Sequence, residues 1–246
     1  MEYVLFITLG YFILGAIGTL LANRGKEKEL KKERWIKILS YFIIVHFIIL
    51  LLLIVPEAFI YLASLIVLIG IYEIVKVSQH KGHTPALITG LIIYILVSAG
   101  FLLTCMIVQA YGLIELFVLV FVFDGFSQIT GQLFGKHKLL PKVSPGKTIE
   151  GLFGGLVFAI ATAYLLLNGE APTGQIIFVA AILCLSALGG DLLASYYKRI
   201  MGIKDFSRLI PGHGGVLDRF DSLITAGFAA AILIYAYFFF GPQVRI

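Results

Sequence analysis

Long apolar runs separated by short polar segments dominate the pattern of this chain. A helix needs about 20 mostly apolar residues to cross a bilayer, and windows of that length predict eight spans. Their approximate ranges are 3–22, 36–55, 57–76, 86–108, 112–131, 151–168, 174–196 and 220–240. The division between the fourth and fifth spans rests on a short polar, turn-forming interruption at 109–112. The pattern therefore predicts an all-α fold, a polytopic helical membrane bundle.

The composition also favours a membrane protein over a soluble domain. The chain has 246 residues, of which 60% are hydrophobic and 13% charged, and its mean hydropathy is +1.01. A soluble domain carries roughly a quarter of its residues as charges. Cys105 and Cys184 lie in apolar runs without metal-ligand spacing, so we interpret both as core residues. The N-terminal apolar segment lacks a basic start and a cleavage site, so we expect a retained first span.

Basic residues are concentrated in alternate predicted loops. Loops 23–37, 76–84, 132–150 and 197–219 hold all but one of the 19 Lys and Arg residues. Because cytoplasmic loops carry the excess of Lys and Arg, these loops are expected in the cytoplasm and both termini outside it. We expect an N-terminal region, 1–110, that includes the basic loop 23–37, and a catalytic membrane region, 111–246.

A dense polar block lies between the last two predicted spans. Charged side chains are costly next to lipid and normally face a polar cavity or a partner. Asp191, Ser195 and Lys198 follow helical spacing and share one face. Asp218 and Asp221 are three residues apart and share a face of the next helix. Carboxylates from two helices that meet in one cleft are the oxygen ligands Mg²⁺ prefers.

Two alternatives remain open for the acidic residues. Asp218 is also explained by a buried structural ion pair, for example with Arg199. Glu73 is expected at the membrane interface beside Lys76, outside any site. Asp124 adjoins a polar segment inside a predicted span, and the cost of an unpaired carboxylate there makes it a candidate for the site.

A glycine-rich turn, 211–215, separates the two acidic helices. Glycine lets backbone N–H groups approach an anion closely, and a helix that begins just after the turn directs its positive end the same way. Lys204 and Asp205 precede this turn and His213 lies within it. The turn therefore predicts a phosphate-facing loop.

A second polar segment, 131–151, precedes the sixth span. Ser144 followed by Pro145 is typical of an N-cap and first helical position, so a helix is expected to begin there. Lys147 would lie in its first turn, an unusual place for a cation unless an anion also binds. The other interpretation is a basic cytoplasmic loop that only follows the charge rule for membrane topology.

The two polar segments together form one extended motif. Its positions in the first segment are Ser195, Lys198-Arg199, Lys204-Asp205, Ser207, Pro211, His213-Gly214-Gly215 and Asp218-Arg219-Phe220-Asp221. Those in the second are Phe134-Gly135-Lys136-His137-Lys138, Pro141, Ser144-Pro145, Lys147-Thr148 and Glu150-Gly151. This pattern resembles the CDP-diacylglycerol synthase (phosphatidate cytidylyltransferase) family of integral membrane enzymes. Ala194, where the family often has Glu, and 124–128, where it often has Asp-Thr-x-Ala-Tyr, depart from it and point to a divergent branch.

The resemblance implies a reaction of CTP with phosphatidate that gives CDP-diacylglycerol and pyrophosphate. It also implies Mg²⁺, a second monovalent cation (K⁺), a homodimer, contact with membrane lipids, no nucleic-acid partner, and a prokaryotic inner-membrane location with the site facing the cytoplasm. Alternatives are a cytidylyltransferase for another lipid phosphate, such as an ether or isoprenoid lipid, and a CTP-dependent lipid kinase. A secondary transporter is more distant, since no internal repeat is visible.

The resemblance, together with the residue types, assigns roles within both segments. The expected metal ligands are Asp191, Asp218 and Asp221. The expected catalytic residues are Asp191, Lys198, Arg199, Lys204, Asp205, His213, Asp218 and Asp221. The expected substrate-binding residues are Ser144, Lys147, Thr148, Glu150, Ser195, Gly212, Gly214, Gly215, Arg219 and Asp124.

Overall fold

A computed structural model describes residues 2–79, 84–167, 171–207, 209–210 and 214–240. Within these ranges the helices are α1 (Glu2–Ala22), α2 (Lys28–Ile54), α3 (Phe59–Gln79), α4 (Thr84–Ile107), α5 (Ala110–Phe134), α6 (Ile149–Leu167), α7 (Thr173–Ile200) and α8 (Leu217–Phe240). A short 3₁₀ turn (Pro56–Ala58) precedes α3, and two strands, β1 (Lys138–Leu140) and β2 (Ser144–Thr148), precede α6. Eight helices in the described ranges are long and apolar enough to cross a membrane, which confirms the predicted polytopic bundle.

The helix boundaries differ from the predicted spans mainly at the basic ends. The predicted division before the fifth span is confirmed, since α4 ends at Ile107 and α5 begins at Ala110. However, α2 begins at Lys28 rather than near residue 36, and α7 continues to Ile200. Polar residues can continue a helix beyond the apolar window because water and ion pairs satisfy their side chains, as the 2.8 Å Glu33–Lys37 pair does on α2.

The predicted helix start at Ser144 and Pro145 is wrong. Residues 144–148 form β2, which pairs antiparallel with β1, and α6 begins only at Ile149. Proline lacks an N–H and is tolerated in an edge strand, so this sequence is compatible with a two-stranded hairpin. Thr148 instead accepts a hydrogen bond from the Gly151 N–H at 3.1 Å, as a helix-capping side chain does. Lys147 therefore projects from a strand and not from a first helical turn.

Small residues bring α5 and α6 into close contact. A Cβ at Gly151 would lie 2.6 Å from the Ser127 carbonyl oxygen, and one at Gly155 would lie 2.7 Å from the Phe123 carbonyl oxygen. Glycines at such positions let the backbones of two membrane helices approach closely. This contact places the hairpin that leads into α6 beside the polar end of α5.

The last helix, α8, lies against both α4 and α7. Thr104 of α4 donates to the Gly227 carbonyl oxygen at 2.7 Å. On the α7 side, the Thr225 side chain of α8 occupies the space where a side chain at Gly190 would lie. A larger residue at 190 would therefore clash with it. These contacts hold α8 between α4 and α7 a few residues after its acidic first turns.

Candidate active site

A polar cavity of about 360 Å³ lies where α5, α7 and α8 meet the hairpin. Acidic side chains reach it from three helices: Asp124 from α5, Asp191 from α7, and Asp218 and Asp221 from α8. The other residues of its wall are Tyr41, Ser127, Gln128, Gln132, Leu139, Ser144, Gly146, Lys147, Thr148, Gly151, Leu152, Leu188, Arg219 and Ser222. Two cations and four acids thus share one cavity of a largely apolar bundle.

Lys147 brings the hairpin into contact with α7. Its Nζ lies 2.6 Å from Asp191 Oδ2, while Asp191 Oδ1 accepts a hydrogen bond from Ser195 Oγ at 3.2 Å. Burial alone would lower the pKa of the Lys147 ammonium, but the carboxylates of Asp191 and Asp124 outweigh burial and raise that pKa. Lys147 therefore keeps its positive charge at neutral pH, inside the cavity.

Two predicted site residues hold the hairpin from outside the cavity. The Glu150 carboxylate accepts hydrogen bonds from the backbone N–H groups of Lys136 and His137, and from His137 Nδ1 at 2.6 Å. Arg199 Nε donates to the Val143 carbonyl oxygen at 3.1 Å. Neither side chain lines the cavity. Both side chains therefore contact the chain on either side of β1, next to the strand that carries Lys147, and their predicted roles at the substrate stay predictions.

Asp218 is occupied by protein partners. Its Oδ1 lies 2.6 Å from Lys198 Nζ, and its Oδ2 accepts the N–H groups of Phe206 and Gly215, each at 2.8 Å. A buried structural ion pair was the alternative interpretation of Asp218, and the structure contains one, although its partner is Lys198 rather than Arg199. Asp218 as a metal ligand stays a prediction that these contacts disfavour.

Glu73, expected at the membrane interface and outside any site, is fully buried inside the bundle and contacts the start of α8. The residue is 0% exposed. Its carboxylate accepts hydrogen bonds from Ser207 Oγ at 2.6 Å and from the N–H groups of Val216 at 3.1 Å and Leu217 at 2.8 Å. These N–H groups belong to the start of α8, where unpaired donors need acceptors. The signal in the sequence was the cost of an acid inside an apolar run.

The predicted phosphate-facing turn is only partly within the described residues. Gly212 and His213 lie outside them. Gly214 adopts φ +85°, a conformation that favours glycine. The Gly215 N–H donates to Asp218, so it does not face the cavity as a free anion-binding donor.

Four further predicted residues are not part of the cavity wall. Lys204 and Asp205 are exposed, and Ser195 and Lys198 are buried behind the wall. Ser195 still contacts the cavity through Asp191, and Lys198 does so through Asp218. Of the three residues expected to share one face of α7, only Asp191 therefore lines the cavity directly.

Several wall residues were missed from the sequence. Gln128 and Gln132 follow Asp124 at spacings of four, so the three share one face of α5. That spacing could have identified them from the sequence. Amide side chains next to a loop are common, however, and do not by themselves indicate a site. Ser127 also belongs to the wall, and its Oγ is buried with no hydrogen-bond partner among the described residues.

The donor set of the cavity fits a hard divalent cation. In the described part of the chain no three His, Cys, Asp or Glu side chains are already arranged as a metal cluster. Asp221, however, uses Oδ1 to accept the Ser222 N–H at 2.7 Å, while its buried Oδ2 has no hydrogen-bond partner among the described residues. Asp124 and Asp191 share the same cavity. Buried carboxylates that repel one another are stabilised by a cation, and oxygen ligands suit Mg²⁺.

A second, largely apolar cavity of about 440 Å³ adjoins the polar one. It lies between α4, α7 and α8, and Asp221 belongs to the walls of both cavities. Most of its wall is hydrocarbon from residues such as Ile93, Val97, Leu193 and Ile224. The ionisable Asp221 thus lies between the polar cavity and the apolar cavity.

Comparison with known proteins assigns the chain to a family. It is 46% identical over 136 residues to a phosphatidate cytidylyltransferase of Haemophilus influenzae, a match that covers 52% of this chain and 45% of that protein. It is 42% identical over 111 residues to the enzyme of the same name from Staphylococcus haemolyticus, covering 44% of this chain and 43% of that protein. The matched stretch is thus a little under half the length of either relative. The sequence model of the cytidylyltransferase family matches residues 91–239, which include every acidic residue of the polar cavity, and the chain therefore belongs to the cytidylyltransferase family.

Proposed function

We propose that this protein transfers CMP from CTP to the phosphate of phosphatidate. A phosphate oxygen of the lipid forms a bond to the α-phosphorus of CTP, and the bond from that phosphorus to the bridging oxygen of the β-phosphate breaks. The products are CDP-diacylglycerol and pyrophosphate. A phosphate monoester is already largely ionised at neutral pH, so the attack needs little help from a general base.

The observation that carries this proposal is the cavity that Lys147 and Arg219 share with carboxylates of three membrane helices. Two polyanions must meet for the reaction, so the protein has mainly to neutralise and align them. Lys147 and Arg219 are the fixed cations available in the wall. Ser144 and Thr148 of β2 add hydroxyl groups beside them. The family assignment and the names of the relatives support the choice of CTP and phosphatidate.

We propose that Asp221, together with Asp124 and Asp191, holds Mg²⁺ when substrate is bound. The ion would supply positive charge to the triphosphate as negative charge moves onto the leaving pyrophosphate. The Lys147–Asp191 pair would then have to open, which leaves Lys147 free to follow a phosphate oxygen. A second monovalent cation, K⁺, rests on the family resemblance, and no contact among the described residues singles out its ligands.

The lipid acceptor suits the apolar cavity beside Asp221. A hydrocarbon chain there would stay in contact with apolar walls while its phosphate reached the polar cavity across Asp221. The hairpin belongs to one of the basic loops, so we propose that the site faces the cytoplasm of a prokaryotic inner membrane. A homodimer is proposed from the family resemblance alone.

The test is to supply purified protein in lipid–detergent micelles with Mg²⁺, phosphatidate and CTP labelled at either the α- or the γ-phosphorus. We expect the α-label in the lipid and the γ-label in pyrophosphate. Transfer of the γ-label to the lipid would show a kinase instead. Uptake only with an ether-lipid or isoprenoid phosphate in place of phosphatidate would keep cytidylyl transfer and overturn the acceptor.

A further inference from the structure

Arg219 makes no ion pair in the described part of the chain, although it shares the cavity with four acids. Its Nη1 donates instead to the Tyr41 hydroxyl at 3.0 Å, and the guanidinium carbon lies 5.3 Å from the centre of the Tyr41 ring. Lys147 and Lys198, the neighbouring cations, are each paired with a carboxylate at 2.6 Å. The different partner of Arg219 therefore needs an explanation.

A tyrosine holds a cation without cancelling its charge. A carboxylate partner would neutralise the guanidinium and also occupy oxygens of the acid, and the attraction between them is strong where water is scarce. The phenol offers one neutral acceptor oxygen and the negative face of its ring. Held this way, Arg219 keeps its full charge, and Asp124 and Asp221 remain without an arginine partner.

A second observation indicates that the guanidinium is arranged for an external ligand. Arg219 Nε is buried and has no hydrogen-bond partner among the described residues. A buried donor without a partner costs free energy, so such groups usually have a role when a ligand is present. An oxyanion in the cavity would accept this hydrogen bond, since an arginine fork suits two phosphate oxygens.

Within the cytidylyl transfer proposed above, we propose that Tyr41 is a positioning residue that keeps Arg219 away from the cavity carboxylates and directs it toward a substrate phosphate. Tyr41 lies on α2, outside residues 91–239 that the family model matches, and it lines the polar cavity itself. Helix α2 of the N-terminal region thus contributes to the site directly. Loss of the hydroxyl leaves Arg219 free to turn onto an acid, which weakens binding of both phosphate and Mg²⁺.

The experiment measures pyrophosphate binding by calorimetry in detergent micelles, with Mg²⁺ titrated separately. Tyr41→Phe removes the acceptor oxygen but keeps the ring, and Tyr61→Phe, at a 76% exposed position, is the matched control. We expect Tyr41→Phe to weaken pyrophosphate binding about tenfold and to weaken Mg²⁺ binding in parallel, because one charge-assisted hydrogen bond is lost and an ion pair replaces it. Tyr61→Phe should match the unmodified protein.

The same substitution is then made in a protein that carries Arg219→Gln, with Arg219→Lys as a second background. If Tyr41 acts through Arg219, Tyr41→Phe has no further effect on pyrophosphate affinity in the Gln background. Three results would each overturn the inference. They are equal weakening by Tyr41→Phe in the unmodified protein and in the Arg219→Gln background, unchanged pyrophosphate affinity in Tyr41→Phe alone, and no pyrophosphate binding by the unmodified protein. Pyrophosphate binding needs no turnover, so failure of cytidylyl transfer in the labelled-CTP assay is a separate result.

Discussion

Replacement of Asp218 by Asn tests whether this acid is a structural partner or a metal ligand. Only 3% of the Asp218 side chain and 9% of the Lys198 side chain are exposed, and the two charges are 2.6 Å apart. The substitution leaves the buried Lys198 ammonium without its paired carboxylate. Removal of one partner from a buried ion pair typically costs about 3–5 kcal/mol, so the unfolding temperature is expected to fall by on the order of 10 °C.

Thermal unfolding can be followed through the two cysteines. Cys105 and Cys184 are both buried and free, so a thiol-reactive dye reports the opening of the bundle in detergent. The comparison is between Asp218→Asn, Lys198→Met and the protein with both substitutions. The double variant removes both charges, so it is expected to regain most of the stability lost in Asp218→Asn, because no uncompensated charge remains.

Two outcomes would refute this reasoning. One is an Asp218→Asn protein as stable as the unmodified chain, and the other is a double variant no more stable than Asp218→Asn. A variant that keeps its stability and needs much more Mg²⁺ for activity would instead support the ligand role first expected for Asp218.

Two further substitutions test other parts of the site. Glu73→Gln retains an acceptor oxygen but places an amide N–H₂ against donors at the start of α8. We therefore expect a loss of about 1–3 kcal/mol of stability in the same thermal assay. Equal unfolding temperatures for this variant and for the control Glu57→Gln, at an exposed position, would contradict the role of Glu73. Lys147→Met removes a cavity cation and should weaken CTP binding on the order of tenfold or more. Lys142→Met, an exposed residue of the same hairpin that does not line the cavity, should bind CTP normally, and equal effects would show that Lys147 acts only through overall charge.

The membrane fold was predictable because each helix can be recognised from its own segment of the sequence. Each helix needs a long apolar segment, and that requirement is met locally, whatever the neighbours are. The acids of the cavity were predictable for a related reason. Asp124, Asp191 and Asp221 are too costly to face lipid, so their presence in spans already indicates a polar space between helices.

The partners within the site were not predictable from the sequence. Ser144 and Pro145 suit a helix start as well as an edge strand, and only pairing with β1 decides between them. Lys198 and Arg199 are adjacent in sequence yet point to different partners, Asp218 and the Val143 carbonyl oxygen. Such choices depend on which helices lie side by side, and this information is distributed over the whole chain.

Glu73 sets a limit on how this protein can be divided. It lies on α3, before the stretch that the family model matches, yet its hydrogen bonds fix the beginning of α8, within that stretch. The predicted division near residue 110 would separate the two. A chimaera joined there would place the α3 of one parent against the α8 of another, and any mismatch would leave a buried acid or buried N–H groups without partners. Exchange of membrane segments between relatives is therefore expected to succeed only when α3 and α8 come from the same parent.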